Sequence, residues 1–228
     1  MLRTFTIVDP EVHTEPLVRD GTLAEAGSLL AIVTGSARSL LAAERVALNL
    51  LGQLSGVATA TRELVDQIAG TSASLVDTRK TVPGLRALQK AAVQAGGGQN
   101  HRMGLYDAVL IKDNHIAVAG SVEVAVEQAR AAVGPGTSIE IEVESTEQLE
   151  AAIAAGADIV MLDNMSVNEM REAVLITDGR CRTEASGGIT TATVREVAKT
   201  GVDMISVGWI THSAPALDVA LDLEYLEG

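Results

Sequence analysis

The sequence has 228 residues, with 17 Lys+Arg against 30 Asp+Glu for a formal net charge of −13 and a pI near 4.7. That balance excludes the broad basic face of a general nucleic-acid binder and leaves room only for small anionic ligands at local cationic sites. Aromatics are 2% within a hydrophobic content of 47%, so the core must be built from Ala, Val, Leu and Ile, as in parallel strands covered by Ala-rich helices.

The N-terminus, MLRTFTIVDPEVHTEP, has no apolar h-region, and no apolar run is long enough for a bilayer. With Cys181 as the single cysteine, no intrachain disulfide is possible, and a soluble, cytoplasmic protein is expected. Residues 5–33 show short β-like runs at Phe5 to Val8, Pro16 to Val18 and Leu29 to Val33, separated by Asp9-Pro10, Asp20-Gly21 and Gly27. This is too little for an independent domain. From Ser36 to about Ala69 the period becomes helical, with Ser36 or Ser39 as cap. Gly52, Ser55 and Gly56 either break the helix or permit close packing.

After Gly70 strand and helix alternate. Candidate strands are Ser74–Val76, Val109–Ile111, Ile139–Val143, Ile159–Leu162, Cys181–Glu184 and Met204–Val207, and several intervening helices open on Ser or Thr. Consecutive βα units imply a parallel sheet, doubly wound or closed as a barrel. Chemistry-bearing residues follow nearly every strand, and their convergence favours a barrel, whose strand ends form a ring.

Those strand ends supply Arg79-Lys80, Lys112, Glu142, Asp163, Ser186-Gly187-Gly188 and Gly208. The span Asp77 to His115 is the most informative. It concentrates Arg79, Lys80, Arg86, Lys90, Arg102 and Lys112, with His101 and His115, in an otherwise acidic chain. Arg and Lys neutralise carboxylate or phosphate, and Arg does so through a bidentate fork. Glu140, Glu142 and Glu144 share one strand face. They either point into the barrel, where cations, a metal or ligand hydroxyls must relieve their repulsion, or form the solvated face of an edge strand. Asp163 can cap a helix or, with Glu142, hold Mg²⁺ waters or a sugar diol. Ser186-Gly187-Gly188 before a helix, and Gly208 after the last strand, are paired loops of the kind that bind phosphate in many barrels; His212 can donate there. Arg45 by itself reads as a solvated helix charge. Cys181 reads as a buried structural thiol, and no zinc-ligand spacing occurs. Lys112 keeps a Schiff-base lyase open.

The segments AERVALNLLGQLSGVAT, DTRKTVPGLRALQK, GGGQNHRMGL, LIKDNHI, IEVES, MLDN, EASGGI and SVGWITHS together resemble the quinolinate phosphoribosyltransferases, in family order from about Ser36 to Asp218. The resemblance implies an incomplete, open α/β barrel joined to a small α/β sandwich. The expected division is 1–46 for a partial sandwich, 47–214 for the barrel and 215–228 for a C-terminal segment returning to the first domain. It implies transfer of phosphoribose from phosphoribosyl pyrophosphate (PRPP) to quinolinate, with Mg²⁺, giving nicotinate mononucleotide, pyrophosphate and CO₂ on the route to NAD.

By motif matching, Arg79, His101, Arg102 and Lys112 would bind the quinolinate carboxylates, with Arg45 reaching in from the partner of a homodimer or hexamer. Lys80 would meet quinolinate or pyrophosphate. Glu142 and Asp163 would face the ribose hydroxyls and the Mg²⁺ environment. Ser186, Gly187, Gly188, Gly208 and His212 would take the 5′-phosphate. Lys80, Lys112, Glu142 and Asp163 form the expected catalytic group. Against the family pattern the chain starts partway through the first domain, so residues 1–33 are expected to expose apolar surface or to lean harder on a partner, and Trp209 stands where a smaller residue is usual. A paralogue using another anionic heteroaromatic and an inactive scaffold are the remaining alternatives.

Overall fold

The computed structural model describes residues 1–224. It opens with helix α1 (Leu2–Val8) and a two-stranded antiparallel sheet, β1 (His13–Pro16) with β2 (Ala31–Thr34). The strand expected at Phe5 to Val8 is therefore a helix. Phe5 is buried with Val12, Leu40, Ala43 and Ala47, and a single anchoring ring against a long helix overrides the β-branched local preference. The next two strands lie displaced from expectation. Pro16 ends β1 because it cannot donate into a continuing ladder. Leu17 and Val18 instead donate to the Leu30 carbonyl beyond it.

Helix α2 (Ala37–Gln67) runs unbroken through Gly52, Ser55 and Gly56, and the Ser36 side chain accepts from the Ser39 N–H at its start. The glycines serve close packing. A Cβ at Gly56 would stand 2.0 Å from the Pro215 carbonyl oxygen, and one at Gly52 would stand 2.7 Å from that of Leu217. The Leu217 N–H in turn donates to the Gly52 carbonyl at 2.9 Å. The described part of the C-terminal segment thus runs along the middle of α2, while 225–228 lie outside the described residues. The 46/47 division expected from sequence falls inside this continuous helix.

The remainder alternates as expected: β3 (Ser74–Val76), α3 (Arg86–Ala95), β4 (Val109–Ile111), α4 (Asp113–Ala119), α5 (Val122–Ala132), β5 (Ile139–Val143), α6 (Thr146–Ala154), β6 (Ile159–Asp163), α7 (Val167–Thr177), β7 (Arg182–Ser186), α8 (Val194–Ala198), β8 (Met204–Ser206) and α9 (Trp209–His212). The six strands β3 to β8 form one sheet in the order β3-β8-β7-β6-β5-β4, each described pair being parallel. Strands β3 and β4 are not paired to one another, so the barrel is open on that side. Only an isolated bridge from Val76 to Gln99 borders the gap.

Alternation along each strand divides the molecule. Ile139, Ile141, Val143, Val160, Leu162, Ala185 and Ile205 belong to the core under the helices. The residues between them turn inward. β5 lies between β4 and β6, so the solvated edge-strand reading of its glutamates is excluded. Among the described residues no helix is long and apolar enough to cross a membrane.

Candidate active site

Strand register assembles the first part of the site. Ile111 pairs with Ile141, so the next inward pair is Lys112 and Glu142, and Lys112 Nζ donates to Glu142 Oε1. Asp163 pairs with Ser186 and its Oδ2 accepts from Asn164 Nδ2 at 2.8 Å. Lys112, Glu142, Glu144 and Asp163 line an open cleft of about 470 Å³ at the strand ends. The three β5 glutamates meet three different fates. Glu140 is buried, Glu142 is ion-paired, and Glu144 is exposed beside α6, where its backbone N–H donates to Gln148.

The cationic residues of 77–115 separate into two kinds. Arg86 and Lys90 are braces. Arg86 donates to Thr81 Oγ1, to the Met103 carbonyl and to the Arg79 carbonyl, tying two loops together. Lys90 is buried against Asp77 and also donates to the His101 carbonyl at 2.9 Å, while Asp77 Oδ1 accepts the His101 N–H at 2.8 Å. Desolvation pushes the Asp77 carboxyl up despite the Lys90 and His101 bonds. By contrast, Arg102 lies within reach of the Arg79 charge. Burial and the nearby Arg79 charge both lower the Arg102 guanidinium, offset by Glu140, Asp107 and Glu142. Arg79 Nε is buried without a hydrogen-bond partner among the described residues, a donor that an anionic ligand would satisfy.

His101 occupies the barrel interior. Its Nε2 lies 2.8 Å from Glu140 Oε2 and 3.3 Å from Glu184 Oε2, and its Nδ1 accepts the Arg102 N–H at 2.8 Å. Both ring nitrogens are engaged within the chain. Burial disfavours the imidazolium, yet the Glu140 and Glu184 bonds outweigh it and push His101 up to about 10. Desolvation pushes Glu140 up to about 7. His101 and Glu140 titrate together, each with raised proton affinity. Because the Arg102 N–H claims Nδ1, we place the cluster's protons on the side of Nε2 and the carboxylates. The donor atoms of His101, Glu140 and Glu184 lie within 4.8 Å of one another and could hold a divalent ion; the 2.8 Å separation is that of a direct hydrogen bond.

The glycine loops complete the rim. Gly187 and Gly188 have φ of 99° and 61°, the left-handed region. A Cβ at Gly187 would lie 2.2 Å from Asn164 Oδ1, so the loop closes against the Asp163-Asn164 turn. The expected helix start directly after these glycines is not there. Turn residues intervene, with Thr193 Oγ1 accepting the Thr190 N–H, and α8 begins only at Val194. The β-branched Ile189-Thr190-Thr191 run and that side-chain bond favour turns over helix.

At Gly208 a Cβ would meet Lys80 Cδ at 3.0 Å and His212 Nε2 at 3.6 Å. The glycine therefore brings Lys80 and His212 to one place. Thr211 Oγ1 fixes this by donating to the Lys80 carbonyl at 2.8 Å, and buried Gln89 donates to the Thr211 carbonyl. Trp209 Nε1 donates to the Ile189 carbonyl at 3.1 Å, and the ring packs on the core, so the bulky residue links the two glycine loops.

Arg79, Lys80, His101, Arg102, Lys112, Glu142, Asp163, Ser186, Gly187, Gly188, Gly208 and His212 thus all stand at the open end of the sheet or just beneath it. Arg45 stands apart on α2, its side chain 73% exposed and paired only with Glu44 among the described residues. Sequence reasoning missed Glu184 and the Asp77–Lys90 brace and gave Glu140 no separate role. The available signal was parity: Glu140 and Glu184 lie two positions before Glu142 and Ser186 and so face the same interior.

The comparisons with known proteins follow the same anatomy. The family model "Quinolinate phosphoribosyl transferase, C-terminal domain" matches residues 57–222, and the corresponding N-terminal domain matches residues 1–55. The chain belongs to the quinolinate phosphoribosyltransferase family. It is 47% identical over 219 residues to the probable nicotinate-nucleotide pyrophosphorylase (carboxylating) of Bacillus subtilis, covering 96% of this chain and 76% of that protein. It is 49% identical over 209 residues to the Mycobacterium leprae protein named nicotinate-nucleotide pyrophosphorylase (carboxylating), covering 90% and 73%. The solved structure of NadC from Streptococcus pyogenes superimposes with a TM-score of 0.94 at 44% identity, over 99% of this chain and 80% of that one.

Proposed function

We propose that this chain transfers phosphoribose from PRPP to quinolinate and releases CO₂, yielding nicotinate mononucleotide and pyrophosphate in NAD biosynthesis. Family membership across both domains supports the reaction. The observation that carries the site is the juxtaposition of Arg79 and Arg102, with the Arg79 charge close enough to lower the Arg102 guanidinium and an unsatisfied Arg79 donor. Like charges held together inside a fold require a stabilising partner, and a dicarboxylate supplies it.

In this reading Arg79, Arg102 and Lys112 grip the quinolinate carboxylates, and His101 stands behind Arg102. Lys80, Gly208 and His212 face the phosphates, with Ser186, Gly187 and Gly188 on the 5′-phosphate side. The pyridine nitrogen attacks ribose C1 as the bond to pyrophosphate breaks. Positive charge develops on the sugar, and the carboxylates of Glu142 and Asp163, both on the cleft, favour it. The resulting pyridinium accepts the electron pair of the breaking ring C–CO₂⁻ bond, and a proton replaces CO₂ on that carbon. No side-chain nucleophile is needed.

Glu142 and Asp163 are hard oxygen donors on an open cleft, which fits Mg²⁺ held mainly through pyrophosphate and water. When bound it would neutralise pyrophosphate charge. Lys112 Nζ is occupied by its ion pair with Glu142, which gives a Schiff-base lyase no support. A homodimer or a hexamer of dimers with Arg45 entering the partner's pocket accords with an exposed Arg45 flanked by Leu41 and Val46, each 54% exposed. The lone, half-buried Cys181 accords with a reducing cytoplasm.

The test is quinolinate-dependent CO₂ release with Mg²⁺ and PRPP, on protein sized by light scattering. Release from a dimer or larger species is expected. No release from a folded oligomer would overturn the assignment.

A further inference from the structure

Buried glutamates at the centre of a barrel need a reason to be there, because an uncompensated buried carboxylate is costly. Glu140 is 2% exposed and Glu184 0%. Glu140 Oε1 and both oxygens of Glu184 lack a hydrogen-bond partner by strict geometry among the described residues. Their common neighbour is the His101 ring, at 2.8 and 3.3 Å.

That ring is held from two directions. Asp77 and Lys90 fix the His101 backbone, one from its N–H and the other from its carbonyl. The glutamates fix Nε2, which leaves Nδ1 to receive the Arg102 N–H. Burial and a neighbouring charge both weigh on Arg102. It is partly desolvated beside Arg79, and Glu140 is among the few charges offsetting that burden.

We infer that Glu140 and Glu184 are positioning residues for quinolinate binding: from inside the barrel they lock the His101 ring, and through its Nδ1 the Arg102 backbone, so that Arg102 is presented beside Arg79. The inference assigns His101 a supporting role in place of a direct grip on a carboxylate, and it rests on the proposed quinolinate reaction. The glutamates are unlike Glu142 and Asp163, because they are buried and do not line the cleft.

The experiment uses the full-length Glu184→Gln and Glu140→Gln proteins, with Glu184→Leu to remove the acceptor altogether. Steady-state kinetics should show the KM for quinolinate raised about tenfold in the Gln variants and more in Leu, the scale of a lost hydrogen bond to a charged group. The KM for PRPP should stay within about twofold. Equal changes in both KM values, or none in either, in variants that retain the wild-type melting temperature would overturn the inference.

Amide hydrogen exchange at Arg102 needs no substrate and so separates this inference from the reaction assignment. Protection in the wild type that falls at least tenfold in Glu184→Leu supports it. Unchanged protection overturns it, whether or not the wild type turns over quinolinate. Stoichiometric metal bound in the purified wild type and lost in these variants would also overturn it, making the cluster an ion site.

Discussion

Lys112 Nζ donates to Glu142 Oε1 across the β4–β5 pair, one step beyond the Ile111–Ile141 register. Parallel pairing places a cation against an acid on the cleft, the pair proposed to meet the acceptor substrate and the ribose. Each holds the other in place until ligands divide them. Lys112 is half-exposed although Glu142 is largely buried, so the solvated ammonium keeps the pair's contribution to stability small, about 1 kcal/mol, and its value is geometric. Glu142→Gln should therefore melt within a few degrees of the wild type while kcat falls roughly a hundredfold, the scale of a lost transition-state electrostatic contact. Steady-state kinetics beside a thermal melt checks this; a raised KM with unchanged kcat would remove Glu142 from the ribose.

The Asp77–Lys90 pair behaves oppositely, since both side chains are buried. Lys90→Ala leaves the Asp77 carboxylate without its cation and should cost about 3–5 kcal/mol in urea unfolding. Asp77→Asn combined with Lys90→Met should recover much of that loss. Its turnover would still suffer, because the His101 backbone loses its clamp.

Gly56→Ala places a methyl where the Pro215 carbonyl oxygen now stands, 2.0 Å away. Overpacking of about 1–3 kcal/mol is expected, with faster proteolysis of the chain after Pro215. Gly70→Ala is the control. Its Cβ has no neighbour within 4 Å, though φ is +81°, so it should lose only about 1–2 kcal/mol from strain and leave the C-terminal segment in place.

Arg45 and Arg102 test the proposed oligomer. Arg45→Ala and Arg102→Ala should each cripple quinolinate use. Mixed heterodimers of the two should regain part of the wild-type rate, because one of their two pockets is intact. No recovery in verified heterodimers would confine Arg45 to its own subunit's surface.

The His101 cluster also predicts a pH signature. Its folded proton affinity is raised, with His101 up to about 10 from an ordinary 6.5 and Glu140 up to about 7 from 4.5. A raised folded value means the folded state binds protons more tightly than the unfolded chain, so this contribution is complete at low pH and lost as pH rises through about 10. Urea midpoints should thus fall between pH 6.5 and 10 more steeply in the wild type than in Glu184→Gln. Parallel curves would contradict the raised affinity.

The sequence by itself determined what is local or periodic. Apolar strands ending in charge, capped Ala-rich helices and glycines after the last two strands pointed to a parallel barrel with candidate chemistry at its strand ends, while its openness was implied by the family resemblance and is seen in the strand order. They also located nearly every rim residue, because strand ends and turn glycines are local features. The helical period from Ser36 to about Ala69 was legible too, though not that it forms one unbroken helix.

What sequence left open depended on partners distant along the chain. It could not decide whether Gly52 and Gly56 break a helix or receive a crossing segment, since that segment arrives at Pro215 to Leu217. It offered three glutamates on one face of β5 without separating them, because burial, ion pairing and exposure came from His101, Lys112 and solvent. It gave Lys90 and Arg102 the same cationic weight, although one is a buried brace against Asp77 and the other lies partly desolvated beside Arg79. The helix at Phe5 escaped for the same reason: one ring seated on α2 outweighed a β-branched local pattern. Side-chain identity fixed which chemistry was possible, and tertiary packing, through burial and charge pairing, decided which residues could carry it.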